Sequence, residues 1–361
     1  MILTAITFLI ILTILVLIHE LGHFLVARMV GVRVEEFGLG LPPRIWGKKF
    51  GDTIYSLNWL PIGGFVRLAG EDKDPDDSAK VKPSHLKEYF WARSKKERSA
   101  ILVAGVFMNF VLAVVITMAL LLTGVKEPSG KLHVERVVPN SPAALVGLTT
   151  GDVILSVAVA PNPPKTTVTP NDLISFVKDN AGKEIVMIID RGGVVSAFKV
   201  TPRTEVPPGE GPLGVAITDL ELHKYPLHEA PGKALMINVT RARDMVASLG
   251  GTVWRLVTLR APEADVAGPI GIAQVTGVAV SFGWAAVLEF ASILSLNLAV
   301  LNVLPIPALD GGRLMFVFLE KMLGKKVRPA FERSTHQIGM LILLGLIVLV
   351  SINDILRLVR G

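Results

Sequence analysis

Four stretches of the chain are apolar for long enough to cross a bilayer, or nearly so: Ile2 to Ala27, Ala100 to Leu122, Ala285 to Leu304 and roughly Thr335 to Ile352. Between the first two, Val32 to Gly40, Asp52 to Leu57 and Leu60 to Leu68 carry strand-forming residues punctuated by turn residues. Between the second and third, Asp172 to Asn180 reads as a helix, and Ile185 to Asp190 and Val194 to Val200 as strands. Pro226 to Leu259 then has apolar residues at helical spacing, interspersed with Arg241, Arg243 and Arg255. The pattern predicts a first span over 1–28, a β-region over 29–99, a second span over 100–124 and an α/β domain over 125–205. A helical membrane-surface region over 206–284, a third span over 285–312, a loop over 313–334 and a fourth span over 335–357 complete it.

Composition agrees with a membrane protein, since 51% of the 361 residues are hydrophobic. Cysteine is absent, which removes disulfides, thiolate metal sites and cysteine nucleophiles from consideration. The first apolar run has no basic leader and no small-residue cleavage site, so it is expected to stay as a helix. Basic residues cluster beside the spans in two connections: Arg28, Arg33, Arg44, Lys48, Lys49, Arg93, Lys95, Lys96 and Arg98 in the first, and Arg313, Lys321, Lys325, Lys326, Arg328 and Arg333 in the short third. By the positive-inside rule both face the cytoplasm, leaving the termini and the long middle region outside. The formal charge of +6 follows from this topology, and no nucleic-acid motif accompanies it.

Within the first span lies Leu17-Ile18-His19-Glu20-Leu21-Gly22-His23-Phe24. On a helix His19 and His23 share a face one turn apart, so two imidazoles can close on one zinc ion while Glu20 reaches its water. Ionisable groups in a membrane-length helix are costly, which sets this motif apart from a chance HExxH in a core helix. With Arg28 at the border, His23 lies roughly 8 Å and His19 roughly 14 Å inside it, at 1.5 Å per residue. The implied chemistry is metal-assisted hydrolysis.

A catalytic zinc takes three protein ligands, and the third is expected near the end of the third span, in Asn302-Val303-Leu304-Pro305-Ile306-Pro307-Ala308-Leu309-Asp310-Gly311-Gly312. The two prolines break the helix, and Asp310 is presented from the irregular stretch that follows; taken alone it would read as a turn residue before Gly-Gly. Asn302 is placed to hold a substrate carbonyl or a developing oxyanion, against a packing role of the kind expected for Asn297 and Glu289.

HELGHF on one span and NVLPIPALDGG on another resemble the site-2 protease family of intramembrane zinc metalloproteases, of the bacterial regulator-of-sigma-E type, over nearly the whole chain. The resemblance implies His19, His23 and Asp310 as zinc ligands, Glu20 as the residue that activates water, and Asn302 as a substrate contact. The family commonly has Gly-Gly-His-Leu after the aspartate, where this chain has Gly311-Gly312-Arg313-Leu314. It further implies that part of the 29–99 region re-enters the membrane beside the site, where a strand edge can capture an unwound substrate segment. Glu71 to Asp77 reads more simply as a solvated acidic loop.

Val134 to Ala144 with Gly147-Leu148-Thr149-Thr150-Gly151-Asp152-Val153-Ile154 is similar to a PDZ domain, with Ala160 to Pro164 as a proline-rich loop. Such a domain binds peptide tails or rejects substrates whose outer portion is large, and the resemblance favours the filter. Gly268 to Ala273 resembles the stretch that leads into the family's third span. The expected protein is therefore a polytopic α-helical membrane protein of four transmembrane helices, with a cytoplasmic membrane-associated β-region and one extracytoplasmic PDZ-like α/β domain. It would sit in the bacterial inner membrane and cut single-span membrane proteins such as a pre-cleaved anti-sigma factor or remnant signal peptides. A non-proteolytic scaffold or chaperone with a structural zinc is the alternative, disfavoured because such a site needs no general base; a zinc transporter would string its ligands through several spans.

Overall fold

The computed structural model describes residues 2–71, 83–159, 165–166, 169–258, 268–325 and 327–360. Residues 72–77 of the acidic stretch and the loop Ala160 to Pro164 lie outside the described residues. The chain forms two compact units, Met1–Leu120 with Pro226–Gly361, and Leu121–Tyr225.

In the first unit, α1 (Ile2–Met29) buries a single seam that recurs every four residues, Ile11, Leu15, His19, His23 and Ala27. That spacing keeps a helical stripe on one side, so the two histidines face inward because they continue an apolar stripe. A hairpin follows, β1 (Val34–Phe50) and β2 (Thr53–Leu68), paired antiparallel around a turn at Gly51-Asp52. The strands run longer than the broken segments read from sequence. Residues Glu36 to Leu39 pair on both edges, with Ile54 to Leu57 and with Gly64 to Arg67, and Asn58 donates to the carbonyls of Leu39 and Gly40 where the register shifts. The side-chain amide thus satisfies carbonyls that a regular ladder would have paired.

After 3-10 turns at Pro83–Glu88 and Phe90–Ala92, α2 (Lys95–Thr123) packs against α1 at glycine. A Cβ on Gly22 would overlap the carbonyl of Ala104, and one on Gly105 would overlap the His23 ring, so the two backbones touch only because both side chains are absent. Helices α5 (Ala230–Val257), α6 (Pro269–Phe282), α7 (Trp284–Val303), α8 (Asp310–Leu323) and α9 (Pro329–Arg360) complete this unit, after α3 (Pro142–Leu145) and α4 (Pro170–Asp179) of the other. Polar rungs tie α2 to its neighbours: Ser295 donates to the Asn109 carbonyl (2.8 Å), Ser292 to the Ala113 carbonyl (3.0 Å), and Asn238 of α5 to Thr117 (2.9 Å). Among the described residues, four helices are long and apolar enough to cross a membrane, α1, α2, α7 and Ala330–Leu356 of α9.

One sequence expectation changes here. The 313–334 segment is not simply a loop, because α8 runs to Leu323, and Gly311 and Gly312 sit inside its first turn rather than stopping a helix. The stretch before the third span is a separate short helix, α6, whose amides at Gly268 and Gly271 donate to Asp354 of α9 (3.3 and 2.8 Å). A buried acid in the last span is thus a helix cap supplied from another element. Asp354→Ala is expected to lower stability by about 1–2 kcal/mol and Asp354→Asn by less, since an amide oxygen still accepts. Thermal unfolding in detergent, with hydrogen exchange at residues 268–272, reads both effects.

The second unit is a sheet in the order β7-β6-β4-β3-β8, with β5 beside β4. Its strands are β3 (Val125–Val137), β4 (Val153–Ala158), β5 (Lys165–Thr166), β6 (Ile185–Arg191), β7 (Val194–Val200) and β8 (Val215–His223). Helices α3 (Pro142–Leu145) and α4 (Pro170–Asp179) are N-capped by Ser141 and Thr169. Strand β8 falls in a stretch read from sequence as helical; its pairing with β3, Val137 to Val215 at one end and Val125 to His223 at the other, carries the fold to Tyr225. Alternation in Val215-Ala216-Ile217-Thr218 is weak, and only pairing with a partner ninety residues earlier makes it a strand.

Asp152 of this unit accepts from Arg191 through both carboxylate oxygens (2.6 and 2.7 Å) and from the Thr149 amide (2.9 Å), and the Arg191 hydrogen bonds hold its carboxyl below the usual range. A depressed carboxyl stabilises the fold above its unfolded value near 3.9, and the contribution is lost as pH falls through the folded value. Hydrogen exchange at β4 and β6 in the whole protein is expected to accelerate below about pH 4, and Asp152→Asn to remove that acid dependence while raising exchange at neutral pH.

Candidate metal centre

Three side chains from two elements converge on one point. His19 and His23 come from the buried seam of α1, and Asp310 is the first residue of α8, where the helix N-terminus favours a carboxylate. Asp310 Oδ2 lies 2.9 Å from His19 Nε2 and 3.2 Å from His23 Nε2, and the two Nε2 atoms are 3.1 Å apart. Tetrahedral coordination with bonds of about 2.0–2.1 Å sets ligand atoms roughly 3.3 Å apart, close to this triangle. The orientation of His23 is fixed from outside: its Nδ1–H donates to the Ile101 carbonyl (2.8 Å), leaving the Nε2 lone pair free for a cation. Asp310 Oδ2 is buried without a conventional hydrogen-bond partner, as expected of an acceptor meant for a metal. The donor set and its spacing therefore fit a zinc ion.

Asp310 owes its position to the broken backbone before it. Helix α7 ends at Val303, and the chain then folds tightly, with Ile306 N bonded to the Leu304 carbonyl (2.7 Å). Ala308 holds a positive φ of 81°, uncommon for a residue with a Cβ, and its amide donates to His336 of α9 (3.0 Å). Cβ atoms on Gly311 and Gly312 would strike the carbonyls of Val303, Leu304 and Ile306. The glycine pair lets the start of α8 lie against the end of α7, which is what carries Asp310 under the histidines.

Glu20, beside the seam, lines a cavity of about 240 Å³ together with His19, Asp310, Asn109 and Asn302. Its carboxylate accepts from the Val66 amide of β2 (3.0 Å). Strand β2 runs along α1 at this depth: Thr13 donates to the Pro61 carbonyl (3.2 Å) and Gly63 meets Val16. All five residues singled out from sequence thus border one cavity or one triangle of ligand atoms. Glu289 lies elsewhere, paired with Arg241 (3.1 Å).

Sequence reasoning missed Asn109. It is fully buried, and its Nδ2 lies 3.4 Å from His19 Nδ1, while its Oδ1 has no partner. A half-turn of the amide about its Cβ–Cγ bond lets Oδ1 accept from Nδ1–H and frees His19 Nε2 for the cation, as the Ile101 carbonyl does for His23. The signal was present, a lone amide in the apolar run Ala100 to Leu122. Nothing in the local sequence marks the Val66 amide or the Ile101 carbonyl, which are backbone atoms brought in by the fold.

Two histidines on a helix of membrane length, a carboxylate at the start of α8 and a second carboxylate on the same cavity fit the pattern of a membrane metallohydrolase. The sequence profile of peptidase family M50 matches residues 7–346, and the chain belongs to that family, as a membrane metalloprotease. It is 34% identical over 345 residues to a protein of Clostridium perfringens named as a zinc metalloprotease, covering 95% of each chain. It is 30% identical over 429 residues to the regulator of sigma-W protease RasP of Bacillus subtilis, covering 98% of this chain and 99% of the relative. Among solved structures, the PDZ domain of the SdrC-like protein of Listeria monocytogenes aligns with 26% of this chain at 20% identity and a TM-score of 0.22.

Proposed function

We propose that the protein is a zinc endopeptidase that cuts transmembrane segments of single-span membrane proteins. The observation that carries this reading is the triangle of His19, His23 and Asp310 atoms with Glu20 on the adjoining cavity, inside apolar helices. Zinc held there would polarise a peptide carbonyl and make water more acidic. Glu20 takes the proton from the attacking water and passes it to the leaving amine. Asn302, on the same cavity, donates its amide to the substrate carbonyl as charge develops on oxygen. Asn109 and the Ile101 carbonyl hold the imidazoles in the required tautomers. Strand β2, beside α1 from Thr13 to Glu20, offers backbone groups to a substrate span that has to unwind before its amides can be reached.

The basic flanks support a reading in which the hairpin and α8 face the cytoplasmic side of the bacterial inner membrane and the Leu121–Tyr225 unit is an outer, PDZ-like domain. Membrane-bound anti-sigma factors and remnant signal peptides are the proposed substrates, the first in keeping with the name of the Bacillus subtilis relative, a regulator of sigma-W. The test is cleavage of a single-span reporter by purified protein in detergent, with and without chelator, with bound metal quantified. One zinc per chain and chelator-sensitive cutting within the apolar segment are expected. Bound zinc with no cutting across several reporters would return the protein to the scaffold reading.

A further inference from the structure

Helix α8 has two faces with different occupants. Phe316, Val317 and Glu320 turn inward, where Glu320 pairs with Arg98 (2.9 Å) and its carbonyl accepts from Lys95 (2.7 Å). Phe318, Met322 and Leu323 turn outward with more than half of their surface exposed, and Phe331 at the start of α9 is exposed as well. Fourteen residues make a helix about 21 Å long, too short to cross a hydrocarbon core of about 30 Å. Both neighbours of α8, α7 and α9, are spans, so this outward apolar face lies at the membrane border.

The charge along the connection from α8 to α9 is predominantly positive. From Gly311 to Ala330 the chain carries five cations, Arg313, Lys321, Lys325, Lys326 and Arg328, and a single acid, Glu320, which is turned inward. Lys321, Lys325 and Arg328 are exposed and form no ion pair among the described residues. An apolar face bordered by unpaired cations, on a helix that cannot span, is the pattern of a segment seated among acyl chains with its cations at phosphate level. A protein partner would need no such surplus of positive charge, whereas an anionic leaflet matches it.

We propose that α8 is an interfacial helix and that Lys321, Lys325 and Arg328 form a binding site for anionic phospholipid headgroups. This inference stands apart from the catalytic reading, although α8 begins at Asp310 and its seat therefore bears on the metal centre.

The chain has no native cysteine, so Phe318→Cys in the full-length protein accepts a single NBD label. The labelled protein is placed in phosphatidylcholine vesicles containing trace doxyl-labelled phosphatidylglycerol or doxyl-labelled phosphatidylcholine. Quenching by both lipids is expected, with phosphatidylglycerol at least about threefold more effective. The preference is expected to vanish in Lys321→Ser/Lys325→Ser/Arg328→Ser and to weaken in high salt, which tests the same charges without altering the chain. Equal quenching by the two lipids in the starting protein overturns the headgroup site. Quenching by neither shows the face covered by protein, such as a second copy of the chain, and overturns the proposal altogether.

Discussion

Glu20→Gln is expected to leave one zinc bound per chain and to lower cleavage of a single-span reporter by about 10²–10⁴-fold, the range a positioned general base supplies. The substitution is close to isosteric, and the glutamine carbonyl oxygen still accepts from the Val66 amide, so strand β2 keeps its anchor on α1. None of the three candidate ligand atoms is touched. The loss therefore reports proton transfer rather than assembly of the centre. Metal content by atomic emission, run beside the cleavage assay on the same preparation, separates the two. A variant that retains zinc and cuts at the starting rate would move the base to another residue on the cavity wall.

Gly311→Ala is expected to weaken metal binding by about 10–100-fold although it deletes no ligand, the size of effect seen when a group that orients a ligand is lost. The added Cβ would sit on the carbonyls of Leu304 and Val303, which are backbone atoms of the helix break and cannot swing aside as a side chain would. Relief requires α8 to move away from α7, and Asp310, one residue earlier, moves with it. Gly345→Ala in α9 is the matched control, because a Cβ there meets nothing within 4 Å. Titration with zinc and a competing chelator measures both. Unchanged affinity in Gly311→Ala would mean that Asp310 is dispensable for holding the metal.

The spans were legible because bilayer thickness imposes a length and a hydropathy that survive without any knowledge of neighbours. The HExxH residues were legible for a related reason, since His19 and His23 sit on the α1 seam at the same four-residue interval as Ile11 and Leu15. Asp310 and Asn302 could be picked out because two prolines break a span between them. Long-range pairing was far less visible. Strand β8 has little alternation of its own and exists through β3, and α8 was hidden because Gly-Gly locally resembles a stop. The distinction between a stop and a first turn depends on carbonyls of Val303, Leu304 and Ile306, whose closeness no local pattern encodes. Asn109 is a different kind of omission, since its type and setting were in plain view and only its partner was missing.

The cap on α6 has a meaning in time as well as in space. Gly268 and Gly271 leave the ribosome more than eighty residues ahead of Asp354, so their amides enter the bilayer with no acceptor in the chain made so far. Water or lipid phosphate has to serve until α9 is inserted, which favours an α6 that waits near the surface. The last span then does more than add a wall: its arrival releases α6 to settle against α1 and α7. A chain cut just before Asp354 keeps most of the fourth span, Ala330–Leu356, and should accordingly insert it yet leave α6 without its cap.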